Sequence, residues 1–293
     1  MNTREDLVIA SVDGRDLRVD VYEPDSSQRL ETAVLVSHGG GWRSGDRKSV
    51  RSRCEALARR GYTAIAAQYR LVETAPWPAQ LGDLLTAVRF TQTQADALGV
   101  NPERVVVQGH SAGGHLSLLA AAGAQAELDR TADLTALTAP IAAVIAYYPP
   151  LKLALRPPPD SPLDQGAQAA PRDGAAPAAM LLGPNATEEQ ARAASPLTYA
   201  GPRLPPTLLF HGADDVLVPY AGMVELQQLL LAAGVPCELH LYAGAVHEFD
   251  CTPLLTEACA ASVDAFLRRY VIDPAGFAAD ARATNPFAAM LAD

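Results

Sequence analysis

The chain has 293 residues, of which 49% are hydrophobic, and its 33 acidic against 23 basic side chains leave a formal net charge of −10. That length accommodates one α/β domain with a large core, while the acidic balance speaks against a nucleic-acid partner, which needs clustered Lys and Arg. The apolar residues are broken into runs shorter than the ~20 needed to span a bilayer, so no membrane-spanning helix is expected.

Residues 5–12 and 16–22 read as two edge strands joined at Asp13-Gly14, a hairpin signal. A strand over 32–37 runs into His38-Gly39-Gly40-Gly41-Trp42. A helix near 47–60, closed by Gly61, leads to a strand over 62–69, and a helix over 79–97 leads to a strand over 103–109. That strand ends in Gly109-His110-Ser111-Ala112-Gly113, and the small-residue run Leu116 to Ala122 follows as a helix. A strand over 141–148 comes next, then a Pro-, Ala- and Gly-rich stretch over 151–200 in which helix is predicted only near 187–194. Pro206 to Phe210 and Cys237 to Tyr242 read as two more strands, and a last helix covers 253–270. Strands alternating with helices predict an α/β fold, a mostly parallel sheet of about eight strands covered by helices on both faces. The domain is expected to span 1–272, with 151–200 as a lid-like insertion. An Ala-rich tail, 273–293, follows; its Phe277, Phe287, Met290 and Leu291 could dock on the domain, on a pocket or on the second subunit of a homodimer.

The turn at Ser111 carries the most chemistry. Glycines at 109 and 113 leave room for a sharp strand-to-helix turn. A serine at its tip projects from the sheet edge, with a helix N-terminus behind it that favours negative charge. That placement suits attack on a carbonyl. The three glycines after His38 let the backbone aim N–H groups at a ligand. Acyl transfer needs such donors at the tetrahedral oxyanion, and the predicted hole is formed by the amides of Gly40, Gly41 and Ala112. No Lys follows the glycines, so a phosphate-binding loop does not fit. After the strand ending at Phe210 comes His211-Gly212-Ala213-Asp214-Asp215, and after the strand ending at Tyr242 comes His247. Serine, aspartate and histidine in that chain order can share one proton-transfer relay.

With His38-Gly-Gly-Gly-Trp42, Gln68-Tyr-Arg-Leu71, Gly109-His-Ser-Ala-Gly-Gly114, Ala194-Ser-Pro-Leu197, His211-Gly-x-x-Asp215 and Gly244-x-x-His247-x-Phe249 together, the chain resembles α/β-hydrolases of the hormone-sensitive-lipase-like kind. The likeness is to small bacterial carboxylesterases. It implies nucleophile Ser111, base His247 and acid Asp215, in preference to Asp214, which reads as a solvated or turn-stabilising neighbour. Asp83 is expected to pair with an arginine such as Arg70. The implied activity is hydrolysis of short-chain or aryl esters, small molecules, without a cofactor. An arylformamidase shares the motifs and is the alternative; a non-catalytic hydrolase fold acting as a binding protein is the remote one.

The other histidines have structural readings. His240 sits on a sheet face, His211 bonds backbone under the acid loop, and His38, His110 and His115 brace the loops they flank. None has zinc-type spacing, so no metal is expected. Only 37 residues precede His38 and they read as strands, so no N-terminal cap is expected over the pocket. Candidate substrate-lining residues are Trp42, Tyr147, Tyr148, Leu217, Val218 and Phe249. The first residues lack the apolar stretch of a secretory signal, and the four cysteines have no framework spacing, so a cytoplasmic location is expected.

Overall fold

The computed structural model describes residues 1–123, 137–155 and 177–287. Most of the central part of the predicted insertion, and the tail positions Met290 and Leu291, lie outside the described residues. Eight strands form one sheet: β1 (Asn2–Val12), β2 (Arg15–Glu23), β3 (Ala33–Ser37), β4 (Thr63–Ala67), β5 (Val105–His110), β6 (Ala143–Tyr147), β7 (Thr207–Gly212) and β8 (Cys237–Tyr242). Their spatial order is β1-β2-β4-β3-β5-β6-β7-β8. The β1–β2 and β2–β4 pairings are antiparallel, and the other five are parallel.

The helices are α1 (Arg51–Ala58), α2 (Ala79–Thr93), α3 (Ala95–Leu98), α4 (Ala112–Ala121), α5 (Pro177–Leu182), α6 (Glu188–Ala193), α7 (Ala221–Ala232), α8 (Pro253–Leu267) and α9 (Pro274–Thr284). Successive strand residues face opposite sides, and the core divides accordingly. Ala33 and Leu35 of β3 join Leu84 of α2, Leu116 of α4 and Leu226 of α7 in one layer. Val34 and Val36 join Leu57 of α1 and Phe266 of α8 in the other. The central strands are buried on both faces, which is why they read as unbroken apolar runs.

The predicted helix over 79–97 divides at Gln94, and its second part closes on Gly99 with φ of +62°. The sequence reading left out α7, although Met223, Leu226 and Leu230, its buried residues, have the i, i+3, i+7 spacing of an amphipathic helix. It also left out α5, a helix too short for periodicity to reveal, which starts on Pro177 where a missing N–H costs nothing. The tail supplies α9, and the Arg269 guanidinium lies 5.7 Å from the Phe277 ring centroid. Residues 1–32 hold only the first hairpin and one short 3-10 turn, with no cap helix among them.

Candidate active site

The carboxyl ends of the parallel strands form one edge of the sheet, and each residue singled out for proton transfer sits just beyond one of them. Ser111 follows β5 with φ of +52° and ψ of −116°, a region that non-glycine residues avoid and that costs ~1–3 kcal/mol to hold. Its amide donates to Tyr147 O at 2.9 Å and its carbonyl accepts from the His115 amide at 3.0 Å. The flanking glycines are obligatory. A Cβ on Gly109 would stand 2.1 Å from Gly113 O, and one on Gly113 would stand 2.4 Å from Ser37 O.

Ser111 Oγ donates to His247 Nε2 at 3.0 Å, and His247 Nδ1 donates to Asp215 Oδ2 at 2.6 Å. Asp215 Oδ1 accepts from the amides of Leu217 and Val218, each at 2.9 Å. His211 Nε2 donates to Val218 O at 2.7 Å and lies 3.3 Å from Asp215 Oδ2. Burial by itself would raise the Asp215 pKa, but the donors from His211, His247 and the Val218 amide outweigh it and hold the carboxyl well below the usual range. The carboxylate is therefore charged at neutral pH and fixes the imidazole with its proton on Nδ1. That leaves Nε2 free to accept from Ser111. Asp214, one residue earlier, is exposed, its amide tied to Ala245 O.

The glycine loop crosses in front of Ser111. Gly40 and Gly41 have φ of +104° and +59°. Neither their amides nor that of Ala112 donates to a protein acceptor among the described residues. The loop is held from behind. His38 stacks on Tyr69 at 4.2 Å, and the Tyr69 hydroxyl lies within donor reach of His38 O (3.1 Å) and Gly39 O (3.2 Å). Arg70, the next residue, clamps Asp83 through its guanidinium and its amide. Asp83 is thus an ion-pair partner of Arg70, and it makes no hydrogen bond to Ser111, Asp215 or His247 among the described residues.

Four lining expectations need correction, because Trp42, Tyr147, Tyr148 and Phe249 are all buried. Tyr147 is buried, stacked between His110 and Phe210 at ring distances of 4.5 Å each, and offers no face to a ligand. Trp42 is also buried, with its ring edge-on to His115 at 5.0 Å, so it supports the glycine loop from within the core. Both side chains follow the strand or turn into a core layer, a direction their position in sequence did not reveal. Phe249 is buried against Tyr148 and Tyr242. Leu217 is exposed and Val218 half-exposed beside the acid.

Sequence reasoning missed the buried charges beneath the site. Asp250 accepts from Arg53 Nε at 2.6 Å and from the Tyr148 hydroxyl, and lies 3.2 Å from His110 Nε2. The Tyr148 ring is 4.6 Å from that of His247. The cluster thus joins the residue before Ser111 to the loop of His247. Arg53 and Asp250 are 197 positions apart, and no local pattern could have linked them. His115 was expected to be structural; burial lowers its pKa to about 4, and its Nε2 donates to Ala194 O at 2.7 Å. It thereby pins the segment after α6 onto α4. Among the described residues no group of three or more His, Cys, Asp or Glu side chains could hold a metal ion, and no helix is long and apolar enough to cross a membrane.

The BD-FAE family model matches residues 19–230. Lipase 2 of Moraxella sp. (strain TA144) is 35% identical over 123 residues, 40% of this chain and 28% of that protein. The ethyl acetate hydrolase of Pseudomonas putida is 38% identical over 119 residues, 40% of this chain and 37% of that protein. The chain thus spans about a third of the length of these curated relatives. Among solved structures, Thermogutta terrifontis esterase 2 phosphonylated by sarin matches with a TM-score of 0.75 and 28% identity, over 92% of this chain and 95% of that one. The butyrate-bound form of that esterase matches with a TM-score of 0.71 and 28% identity, over 90% and 92%. The eight-stranded, mostly parallel sheet is the α/β-hydrolase fold of these esterases.

Proposed function

The chain belongs to the BD-FAE family, and from that premise we propose that it is a serine carboxylesterase cleaving short-chain or aryl esters through an acyl-enzyme. Ser111 Oγ attacks the ester carbonyl while His247 Nε2 takes its proton, and Asp215 stabilises the imidazolium. The tetrahedral oxyanion is received by the amides of Gly40, Gly41 and Ala112, which have no other acceptor among the described residues. His247 returns the proton to the leaving alcohol, leaving Ser111 acylated. Water then attacks the acyl carbon, giving its proton to His247, which passes it to Ser111 Oγ as the acyl bond breaks and the carboxylic acid leaves. The observation that carries this reading is the unbroken relay from Ser111 Oγ to His247 (3.0 Å) to Asp215 (2.6 Å), on a serine held at positive φ.

Esterase 2 of T. terrifontis has been captured with butyrate and with sarin bound, which supports a small acyl group and a reactive serine. The four free thiols support the cytoplasmic reading. The test is hydrolysis of p-nitrophenyl esters by wild type and Ser111→Ala, with N-formylkynurenine assayed in parallel. Ester turnover is expected to drop by about 10⁵- to 10⁶-fold in the variant, with the melting temperature unchanged. Rapid deformylation beside weak ester cleavage would replace the esterase by the arylformamidase. A folded wild type inert on both would leave only the non-catalytic role.

A further inference from the structure

A groove of about 670 Å³ opens beside the glycine loop, between the 72–78 segment and the helices α5 and α6. Its walls mix apolar side chains, Val72, Trp77, Met180, Leu181 and Leu182 among them, with the polar Glu189 and Gln190, and the Arg43–Glu73 pair stands on its rim. None of the residues around Asp215 or His247 lines it. Met180 is the boundary. Its Cε lies 2.7 Å from where a Cβ on Gly41 would stand, so the methionine tip rests on the backbone of the proposed oxyanion loop. On its other side the same side chain faces the groove.

We infer that Met180 closes the acyl side of the site off from this groove and so limits the length of acyl group accepted. The inference rests on the serine-esterase reading. An ester bound with its carbonyl oxygen on the Gly40 and Gly41 amides extends two ways from the reacting carbon. The leaving alcohol must lie beside His247 Nε2 to take its proton. A groove reached past Gly41, with no lining from the histidine loop, is therefore on the acyl side. Its apolar stretch, Val72, Trp77, Leu181 and Leu182, suits an alkyl chain, since each methylene taken out of water strengthens binding by about fourfold. Met is unbranched and flexible, so it closes the passage without filling the space behind it.

The test holds the leaving group constant and varies the chain, with kcat/KM measured for p-nitrophenyl acetate through decanoate. Wild type is expected to fall off beyond butyrate. Met180→Ala removes three heavy atoms, joins the groove to the nucleophile, and is expected to raise the octanoate-to-acetate ratio by about tenfold. Met180→Val, a smaller truncation, is expected to shift the ratio the same way by less, and Met180→Leu to keep the wild-type profile. Acetate turnover reports that each variant is folded and its relay intact. Profiles for Met180→Ala and Met180→Val that superimpose on wild type would overturn the assignment of Met180 while leaving the esterase standing. Failure of wild type on every ester would remove the esterase reading, and this inference with it.

Discussion

The wall that carries Ser111, Asp215 and His247 is made of strand ends and the tight turns that follow them, whereas the wall that carries Trp77 and Met180 is made of a loop and two six-residue helices. On the first wall β5 and β7 are hydrogen-bonded on both sides and β8 on one, the glycines flanking Ser111 leave no room for a Cβ, and Asp215 is fixed by two amides and two imidazoles. On the second, α5 and α6 contribute few buried residues, Ala178, Leu181 and Ala191. α6 is held by its own capping box, Thr187 with Gln190, and by His115 through Ala194. The difference is one of constraint. Proton transfer tolerates little misplacement, and the sheet edge supplies rigidity. Choice of chain length needs only a boundary of the right size, which short helices can supply and can change cheaply.

Substitution of the two adjacent aspartates, one buried and one exposed, is the sharpest way to break that picture. Asp215→Asn removes the acceptor that fixes the His247 tautomer, and kcat/KM is expected to fall by about 10⁴-fold with little change in melting temperature. Asp214→Asn, on an exposed side chain, should leave kcat/KM within about twofold. A reversal of the two would move the acid to Asp214 and detach function from the rigid wall.

Asp250 makes the opposite test. Its carboxyl is desolvated, which alone would raise its pKa, yet the contacts with His110 and Arg53 hold it well below the usual range. Asp250→Ala leaves Arg53 buried and unpaired, and is expected to cost about 3–5 kcal/mol of stability. Chemical denaturation would read this directly. A variant as stable as wild type would mean that the cluster under the site contributes no net stability.

The smallest expected effect concerns the tie between the walls. His115 is kept neutral in the folded chain down to a pH of about 4, because burial disfavours its charged form. In the unfolded chain it titrates near ~6.5. Between those values the unfolded state binds more protons, so stability rises with pH across the window and is lost on acidification through it. The gap corresponds to at most about 3 kcal/mol. His38 and His110, lowered by burial as well, act in the same direction. Melting temperatures at pH 7 and pH 5 should therefore differ, and His115→Gln, which keeps a donor for Ala194 O, should reduce the difference. An undiminished slope would show that the His115 tie does not titrate with unfolding.

The sheet was legible in the sequence because strands buried on both faces must be apolar runs, and every central run from β3 to β7 is one. The relay was legible because sharp turns demand glycine and because Ser111, Asp215 and His247 each follow a strand. Lining residues were less so. Trp42 and Tyr147 follow a motif and end a strand, respectively, yet both turn into the core. Met180, in a stretch that reads as low-complexity loop, comes to rest on Gly41.

By itself, then, the sequence determined the alternation of strand and helix, the turn at Ser111 and the glycine loop, because burial on both sheet faces and steric exclusion of Cβ atoms act on neighbouring residues. Only the tertiary structure decided that Asp250 meets Arg53 and His110, that His115 holds Ala194, and that Met180 rests on Gly41 and lines a groove. Those contacts join residues tens to hundreds of positions apart. Their partners are chosen by how helices pack on the finished sheet, and no local pattern of residues encodes that choice.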